Sequence, residues 1–139
     1  MTAAFPPRQR RTANKQAVLD ALGSADTFRS AQHLFLQLHR RQPQRIALTS
    51  VYRILHSLAA EGVVETQSAE DGEALYRLRT GTEHRHYLLC RQCGRAVPFS
   101  PTALEEVAAD LVRQHHFTEV THRVDLYGTC PRCHSADRA

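Results

Sequence analysis

The chain is 139 residues long and carries 18 Lys and Arg, 14 Asp and Glu and four Cys, with a formal net charge of +4. No apolar run approaches the roughly 20 residues that a transmembrane helix needs, and the first residues lack the apolar stretch of a signal peptide. The sequence therefore excludes a membrane-spanning protein and indicates the cytoplasm, where paired cysteines bind metal more often than they form disulfides.

The positive charge is concentrated in the first 60 residues. They contain nine Arg or Lys against two Asp, whereas residues 80–139 contain seven Arg against seven Asp or Glu. This asymmetry is expected when a nucleic-acid-binding module is joined to a second domain. Charge alone is equally consistent with an ordinary solvated surface, so it is interpreted together with the predicted elements.

The first predicted helix follows a short basic arm. Since proline disfavours a helix, Pro6 and Pro7 predict a loosely ordered arm over residues 1–11, whose arginines are available for phosphate contacts. Apolar residues at helical spacing begin after Thr12, and Gly23 is a suitable C-terminal stop. The first helix is therefore expected between these two residues.

Two further helices are predicted before the middle of the chain. Ser30 can cap the second helix, and Pro43 ends it. Thr49 or Ser50 can cap the third helix, which lies in the stretch SVYRILHSLAAEG and ends at Gly62. In both helices the apolar residues fall on one face, which predicts that the opposite face is exposed.

A β-hairpin is predicted after the third helix, in the stretch VVETQSAEDGEALYRL. Its two β-prone segments, 63–67 and 74–78, flank an Asp71-Gly72 turn. Three short helices followed by a hairpin form the plan of a winged helix-turn-helix. In that fold the third helix enters the major groove of DNA, and the hairpin, called the wing, lies along the backbone.

The candidate DNA contacts lie at the N-terminal end of the third helix and on the first helix. The N-terminal end of a recognition helix approaches bases and phosphates, and hydroxyl and guanidinium groups there suit phosphate oxygens and base edges. Arg77 is expected to add a contact from the wing. The alternative for each of these cations is a solvated surface residue. The predicted set is Lys15, Arg11, Thr49, Ser50, Tyr52 and Arg53.

Beyond Gly81 and Thr82, which mark a hinge, the sequence predicts a small α+β domain. The predicted elements are strands at 86–89, 95–99 and 120–127 and a helix that Ser100 caps and that runs from Pro101 to about His116. The helix carries an apolar stripe that is expected to face the interior of this domain. The stripe consists of Leu104, Val107, Ala108 and Leu111.

All four cysteines lie in two Cys-x-x-Cys pairs, Cys90/Cys93 and Cys130/Cys133. Each pair spans one tight turn, so its two sulfurs can point to a common centre, and Gly94 gives the first turn the backbone freedom that it needs. Two such turns supply four thiolates, a ligand set that favours a closed, structural zinc site. A redox pair or disulfides are the alternatives, and two pairs with no cysteine left over argue against the redox reading, for which one pair is enough.

The stretch EHRHYLLC places two histidines on one face of a strand. Alternation along the strand puts His84 and His86 about 7 Å apart, a separation that suits two imidazoles on one ion. The candidate partners are Glu105, Glu106, His115, His116 and His122. Spacing does not choose among them, nor does it exclude exposed histidines that bind no metal.

Four stretches of the chain together resemble the ferric uptake regulator family of bacterial metal-responsive repressors, and the cysteine pattern is most similar to its zinc uptake regulators. The stretches are LTSVYRILHSLAAEGVVE, DGEALYRL, HRHYLLCRQCGRAVPF and GTCPRC. The resemblance runs from about Thr12 to Cys133. It implies an α+β fold with a winged helix-turn-helix DNA-binding domain at 1–79, a hinge at 80–83 and a small α/β dimerisation domain that binds metal at 84–139.

The resemblance also implies a function and a set of metal ligands. The expected function is that of a homodimeric repressor that binds palindromic operator DNA when it is loaded with zinc. The family's structural zinc site falls on Cys90, Cys93, Cys130 and Cys133, and a second metal site falls on His84, His86, Glu105 and His122.

The chain departs from the resemblance at the family's interdomain sensing site. Its positions fall on Glu65, Arg79, Arg85 and Tyr87, and the interdomain histidine of iron regulators aligns near Phe28. Only Glu65 suits a cation, because a guanidinium group stays protonated and repels a divalent ion.

Two hypotheses follow from this departure. Either sensing resides at the histidine site, or Arg79 or Arg85 pairs with Glu65 and holds the domains closed where relatives use metal. The alternative function is that of a divergent family member that senses iron or peroxide, or that binds DNA without metal. An enzyme is not expected, since no general base accompanies an open three-ligand metal site.

Overall fold

The structure is a computed structural model that describes residues 7–41, 46–81 and 86–137. The chain divides into two compact units, residues 1–82 and 83–139. Each unit combines helices with a three-stranded sheet, which confirms the predicted α+β fold. His84 and Arg85, and part of the predicted hinge at 80–83, lie outside the described residues. Within the described residues, no helix is both long and apolar enough to cross a membrane.

The first unit is a winged helix-turn-helix, as predicted. Its helices are α1 (Pro7–Gly23), α2 (Ala31–Arg41) and α3 (Leu48–Ala60), and its strands are β1 (Arg29–Ser30), β2 (Val64–Ser68) and β3 (Ala74–Leu78). Strand β3 lies in the centre of the sheet and pairs antiparallel with both β1 and β2. The β2–β3 hairpin is the wing.

The predicted start of the first helix is wrong. Helix α1 begins at Pro7, so residues 8–11 belong to a helix and not to a loose arm. Proline is tolerated in a first helical turn because the N–H that it lacks has no intrahelical partner there, and its fixed φ suits the helix. The N-terminal cations are therefore displayed along a helix.

Helix capping follows the prediction in α2 but not in α3. The Ser30 Oγ accepts a hydrogen bond of 3.0 Å from the His33 N–H, which caps the first turn of α2. Helix α3 begins earlier than expected, with Ala47 as an N-cap that makes no side-chain capping bond. Thr49 and Ser50 consequently lie inside the first turn, where their hydroxyls are not used to cap the helix.

An apolar core fixes the orientation of α3. Burial of a large aliphatic side chain contributes about 1.5–3 kcal/mol, and among the described residues of the first unit six such side chains are less than 2% exposed. Three of them, Val51, Leu55 and Leu58, come from α3, so the positions between them, including Tyr52 and Arg53, face outward. The six are Val18, Leu22, Leu34, Val51, Leu55 and Leu58.

The second unit is built on a mixed sheet. Its elements are β4 (His86–Cys90), β5 (Ala96–Phe99), α4 (Thr102–His115), β6 (Asp125–Gly128) and α5 (Pro131–Asp137). Strand β4 lies in the centre, antiparallel to β5 and parallel to β6. The strand predicted at 120–127 is shorter and starts at Asp125, and the N-cap of α4 is Pro101 rather than Ser100.

The predicted interior face of α4 is exposed in the single chain. Leu104, Val107 and Leu111 are 48%, 56% and 52% exposed, and no residue of α4 is buried. Among the described elements, α4 makes no extensive contact with any strand or other helix. The apolar period of α4 was therefore recognised correctly, but the described residues of the chain leave this face exposed.

Candidate functional site

Four cysteine sulfurs converge in the second unit. Each Sγ atom of Cys90, Cys93, Cys130 and Cys133 lies within 4.8 Å of the other three, and the Cys93 and Cys130 Sγ atoms are 3.8 Å apart. A tetrahedral zinc ion with Zn–S bonds of about 2.3 Å requires sulfur–sulfur separations of about 3.8 Å. These four cysteines, the thiol quartet, therefore fit tetrahedral zinc.

The sheet brings the two Cys-x-x-Cys turns together. Cys90 ends β4 and pairs in register with Gly128 of β6, the strand that leads into the second turn. Gly94 adopts a positive φ of 76°, a conformation that glycine adopts without a steric cost, and its N–H donates to the Cys90 carbonyl oxygen at 3.2 Å. The Cys130 N–H donates to the Cys90 Sγ at 3.4 Å, which links the two turns directly.

The four thiols differ in their electrostatic surroundings. Burial raises the pKa of the Cys90 thiol, but hydrogen bonds from the backbone of Cys93, Cys130 and Gln92 outweigh it and lower this pKa to about 6. A backbone hydrogen bond from Cys133 lowers the pKa of Cys130. The Cys130 side chain raises the pKa of Cys133 to about 12, and burial raises the pKa of Cys93. Because zinc binds thiolates, filling the quartet displaces the protons of the less acidic thiols.

A second cluster joins His86, Glu105 and His122. The Glu105 Oε1 lies 3.2 Å from the His86 Nε2 and 3.7 Å from the His122 Nε2. Zinc ligands at about 2.0–2.1 Å in a tetrahedron stand about 3.3 Å apart, so these three atoms also fit one ion. We call these three residues the histidine cluster.

The histidine cluster draws its members from separate parts of the second unit. His86 opens β4 and is 6% exposed, with the Phe99 ring centroid 5.9 Å from its own. Glu105 lies in the first turn of α4, and His122 lies in the segment before β6. The described candidates Glu106, His115 and His116 do not join this cluster, and the predicted fourth ligand, His84, lies outside the described residues.

The wing carboxylate Glu65 is paired inside the first unit. The Arg77 Nε donates to the Glu65 Oε1 at 2.9 Å, and the Arg77 Nη2 donates to the same oxygen. Arg77 is buried, so the phosphate contact expected of it is wrong. Arg79, one of the partners expected for Glu65, is exposed.

The Glu65–Arg77 pair depends on the register of the hairpin. The hairpin register places Glu65 directly opposite Arg77, and opposite charges in such positions attract each other. The observed register is centred on Asp71, whereas the predicted two-residue Asp71-Gly72 turn would place Leu78 opposite Glu65. Of the other two positions of the interdomain site, Tyr87 is buried in β4 and Arg85 lies outside the described residues.

Four of the six predicted DNA contacts line one groove of the first unit, and the other two, Thr49 and Tyr52, are exposed on α3. Tyr52 is 44% exposed, and Thr49 and Arg53 are also exposed. Between α1 and α3 lies a groove of about 320 Å³ in which three cations and two hydroxyl groups converge. We call this the basic groove, and its lining is Arg11, Asn14, Lys15, Ser50, Arg53, Ile54 and Ser57.

Known proteins resemble the chain across both units. The Ferric uptake regulator family matches residues 8–127. A zinc uptake regulation protein of Mycobacterium tuberculosis is 40% identical over 126 residues, which cover 91% of this chain and 95% of that protein.

Solved structures show the same likeness. The crystal structure of FurB from M. tuberculosis, described as a zinc uptake regulator, has a TM-score of 0.51 at 40% identity and covers 89% of this chain and 95% of its own. The crystal structure of the Vibrio cholerae ferric uptake regulator has a TM-score of 0.62 at 26% identity and covers 84% of this chain and 88% of its own.

Proposed function

Because the chain belongs to the ferric uptake regulator family, we propose that it is a zinc-dependent transcriptional repressor that binds palindromic operator DNA as a homodimer. Membership makes it a metal-responsive DNA-binding transcription regulator and not an enzyme. The thiol quartet is the observation that supports zinc as the metal, because four thiolates at tetrahedral spacing favour this ion. We place its action in the cytoplasm, where operator DNA lies.

The thiol quartet is proposed to hold a structural zinc ion. The second unit is small, and its long helix buries no side chain. A domain of this size gains little stability from its own core and commonly recruits a metal. With four protein ligands the site has no open coordination position. This suits a structural ion that links the end of β4 to the turn before α5.

The histidine cluster is proposed to hold the zinc ion that controls DNA binding, with His84 as its fourth ligand. Two of its described members are largely accessible, since the side chains of His122 and Glu105 are 40% and 45% exposed. An ion that solvent reaches exchanges more readily than one enclosed by four thiolates. Imidazole and carboxylate ligands suit zinc but also nickel, cobalt and ferrous iron, so the cluster binds zinc chiefly because of availability.

Homodimerisation is proposed through α4. Its apolar stripe of Leu104, Val107 and Leu111 has no cover within the described chain. Contiguous exposed apolar surface of this kind marks an interaction site. A second copy of the second unit offers the same stripe, and a twofold symmetric contact lets each copy cover the other.

Substituting His122 by alanine tests the proposed function. The variant is expected to retain the quartet zinc, to lose the second zinc, and to bind operator DNA at least about tenfold more weakly, since loss of one ligand cuts metal affinity. Operator fragments are obtained by selection from random DNA, and affinity is titrated against free zinc. His115→Ala is the matched control, because this exposed histidine does not join the cluster.

The results distinguish zinc-controlled DNA binding from the alternative functions. Equal operator affinity in His122→Ala and the unaltered protein at every zinc concentration would show that this zinc does not control DNA binding. Operator binding that requires ferrous iron, or that is lost after peroxide treatment with oxidation of His86 or His122, would instead establish iron or peroxide sensing.

Substituting Arg53 by glutamine tests the basic groove. Loss of one phosphate contact per protomer is expected to weaken operator binding about 10- to 100-fold. It should also reduce the slope of log affinity against log salt by roughly 0.9 for each lost contact. Arg113→Gln removes the same charge from an arginine of α4 that is 76% exposed and should change neither quantity. Equal salt slopes for both variants would mean that Arg53 makes no phosphate contact.

A further inference from the structure

The wing residue Arg77 contacts three other residues through its guanidinium group. Its Nε and Nη2 both donate to the Glu65 Oε1, and its Nη1 donates to the Asp26 carbonyl oxygen at 3.4 Å. Its Cζ atom lies over the Phe28 ring, 4.5 Å from the centroid, where a cation is attracted to the π face. The side chains of Arg77 and Glu65 are only 9% and 18% exposed, so the pair is largely shielded from solvent.

A second buried arginine holds the same region of the chain. Arg29, which opens β1, is 5% exposed. Its Nη2 donates to the carbonyl oxygens of Ala21 and Leu22, both at 2.9 Å, where the last turn of α1 leaves carbonyls without helical partners. The segment from Ser24 to Phe28, which joins α1 to β1, is thus fixed at one end by Arg29 and bound to the wing by Arg77.

We propose that Glu65 is a wing-positioning residue and not a metal ligand, because Arg77 supplies the positive charge that a divalent ion would supply at this carboxylate. The inference rests on the proposed function for its consequence at DNA. A guanidinium group is always protonated and offers two parallel donors to one carboxylate. A metal ion would have to displace it, and the displaced cation would then be buried without its partner, which is strongly unfavourable.

This arrangement determines which part of the chain can respond to metal. The wing is tied to the α1–β1 segment by charges of the chain itself, so its position in the first unit does not depend on metal. Zinc then regulates DNA binding through the second unit alone. Glu65 and Arg77 act on DNA binding indirectly, because they hold the wing in a position from which it can contact the DNA backbone.

Three variants test this inference: Glu65→Gln, Arg77→Met and the double variant. Zinc per chain and zinc affinity are measured without DNA by competition with a chelator, thermal unfolding is followed for each, and operator affinity is measured at saturating zinc. Glu73→Gln, which removes an exposed carboxylate from the same hairpin, is the matched control and is expected to match the unaltered protein in all four quantities.

Glu65→Gln is expected to leave zinc content and zinc affinity unchanged while it weakens operator binding roughly tenfold, since it removes charge-assisted hydrogen bonds. Arg77→Met should lower the unfolding temperature more than Glu65→Gln, because it strands a largely buried carboxylate. The double variant should be no less stable than Arg77→Met, since the second substitution removes that stranded charge.

The opposite results would overturn the inference. Loss of one zinc ion per chain, or weaker zinc binding, in Glu65→Gln would make Glu65 a ligand. Additive losses of stability in the double variant would show that the two side chains are not coupled. If the unaltered protein bound no DNA in response to zinc, the proposed function would fail, while zinc content and the stability cycle would still decide the role of Glu65.

Discussion

Substituting Cys93 by alanine is expected to remove zinc from the thiol quartet and to unfold the second unit. The quartet links the end of β4 to the start of α5, and in zinc-finger peptides the binding energy of such an ion, about 10–16 kcal/mol, serves as folding energy. With three thiolates left, most of that stabilisation is lost. The second unit has few buried side chains of its own to replace it, and α4 contributes none.

The first unit should remain folded in Cys93→Ala, so that the loss of structure is confined to the second unit. Its apolar core includes no cysteine, so hydrogen exchange should remain slow in α3 and become fast in β4 and β6. Gln92→Ala, in the same turn, is the matched control and should keep both zinc and structure. A full zinc complement with unchanged unfolding temperature in Cys93→Ala would contradict the assignment of the quartet.

Substituting Val107 by aspartate is expected to convert the dimer to a monomer and to abolish operator binding. Val107 is 56% exposed in the single chain, so a carboxylate there costs the isolated unit little. At a dimer interface the same carboxylate is desolvated without a partner, which costs several kcal/mol, and twofold symmetry doubles the effect. The dimer dissociation constant should rise at least about 100-fold, measured by analytical ultracentrifugation at constant zinc.

The matched control for this substitution is Ala109→Asp, which adds the same charge to an exposed position on another face of α4. It should remain dimeric and bind operator DNA normally. If Val107→Asp were dimeric with normal operator affinity, α4 would not form the interface. If both variants dissociated, the added charge and not the face of the helix would be responsible.

The thiol quartet illustrates what sequence spacing can predict. A Cys-x-x-Cys turn places two sulfurs together regardless of the rest of the fold, so each half of the quartet follows from local geometry. Their meeting depends on β4 and β6 being neighbours in a sheet, which spacing does not reveal. Because the chain has only four cysteines, few other groupings of these thiols around a metal ion were possible.

The apolar stripe of α4 illustrates what periodicity cannot predict. Leu104, Val107 and Leu111 repeat at helical spacing, and this correctly predicted a helix with one apolar face. The same repeat arises whether the face is covered by its own chain or by another. The expected interior position was therefore wrong for the single chain, and the error itself points to a partner surface.

The Glu65–Arg77 pair shows how a comparison of positions can conceal a local interaction. The resemblance directed attention to Arg79 and Arg85 as substitutes for metal ligands, whereas the hairpin register pairs Glu65 with Arg77. The predicted two-residue Asp71-Gly72 turn would place Leu78 opposite Glu65, so the cross-strand rule identifies Arg77 only once the observed register is known. The further contacts of Arg77 with Asp26 and Phe28 join residues far apart in the chain, and only the structure reveals them.

Native mass spectrometry of the protein bound to its selected operator tests the central claim most directly, namely that a zinc-loaded dimer reads DNA. The expected result is two chains on one DNA duplex with two zinc ions per chain, one for each cluster. Mild chelation is expected to remove one zinc ion per chain and, at the same chelator concentration, to release the DNA. A monomer free of zinc that binds the same operator with undiminished affinity would contradict it.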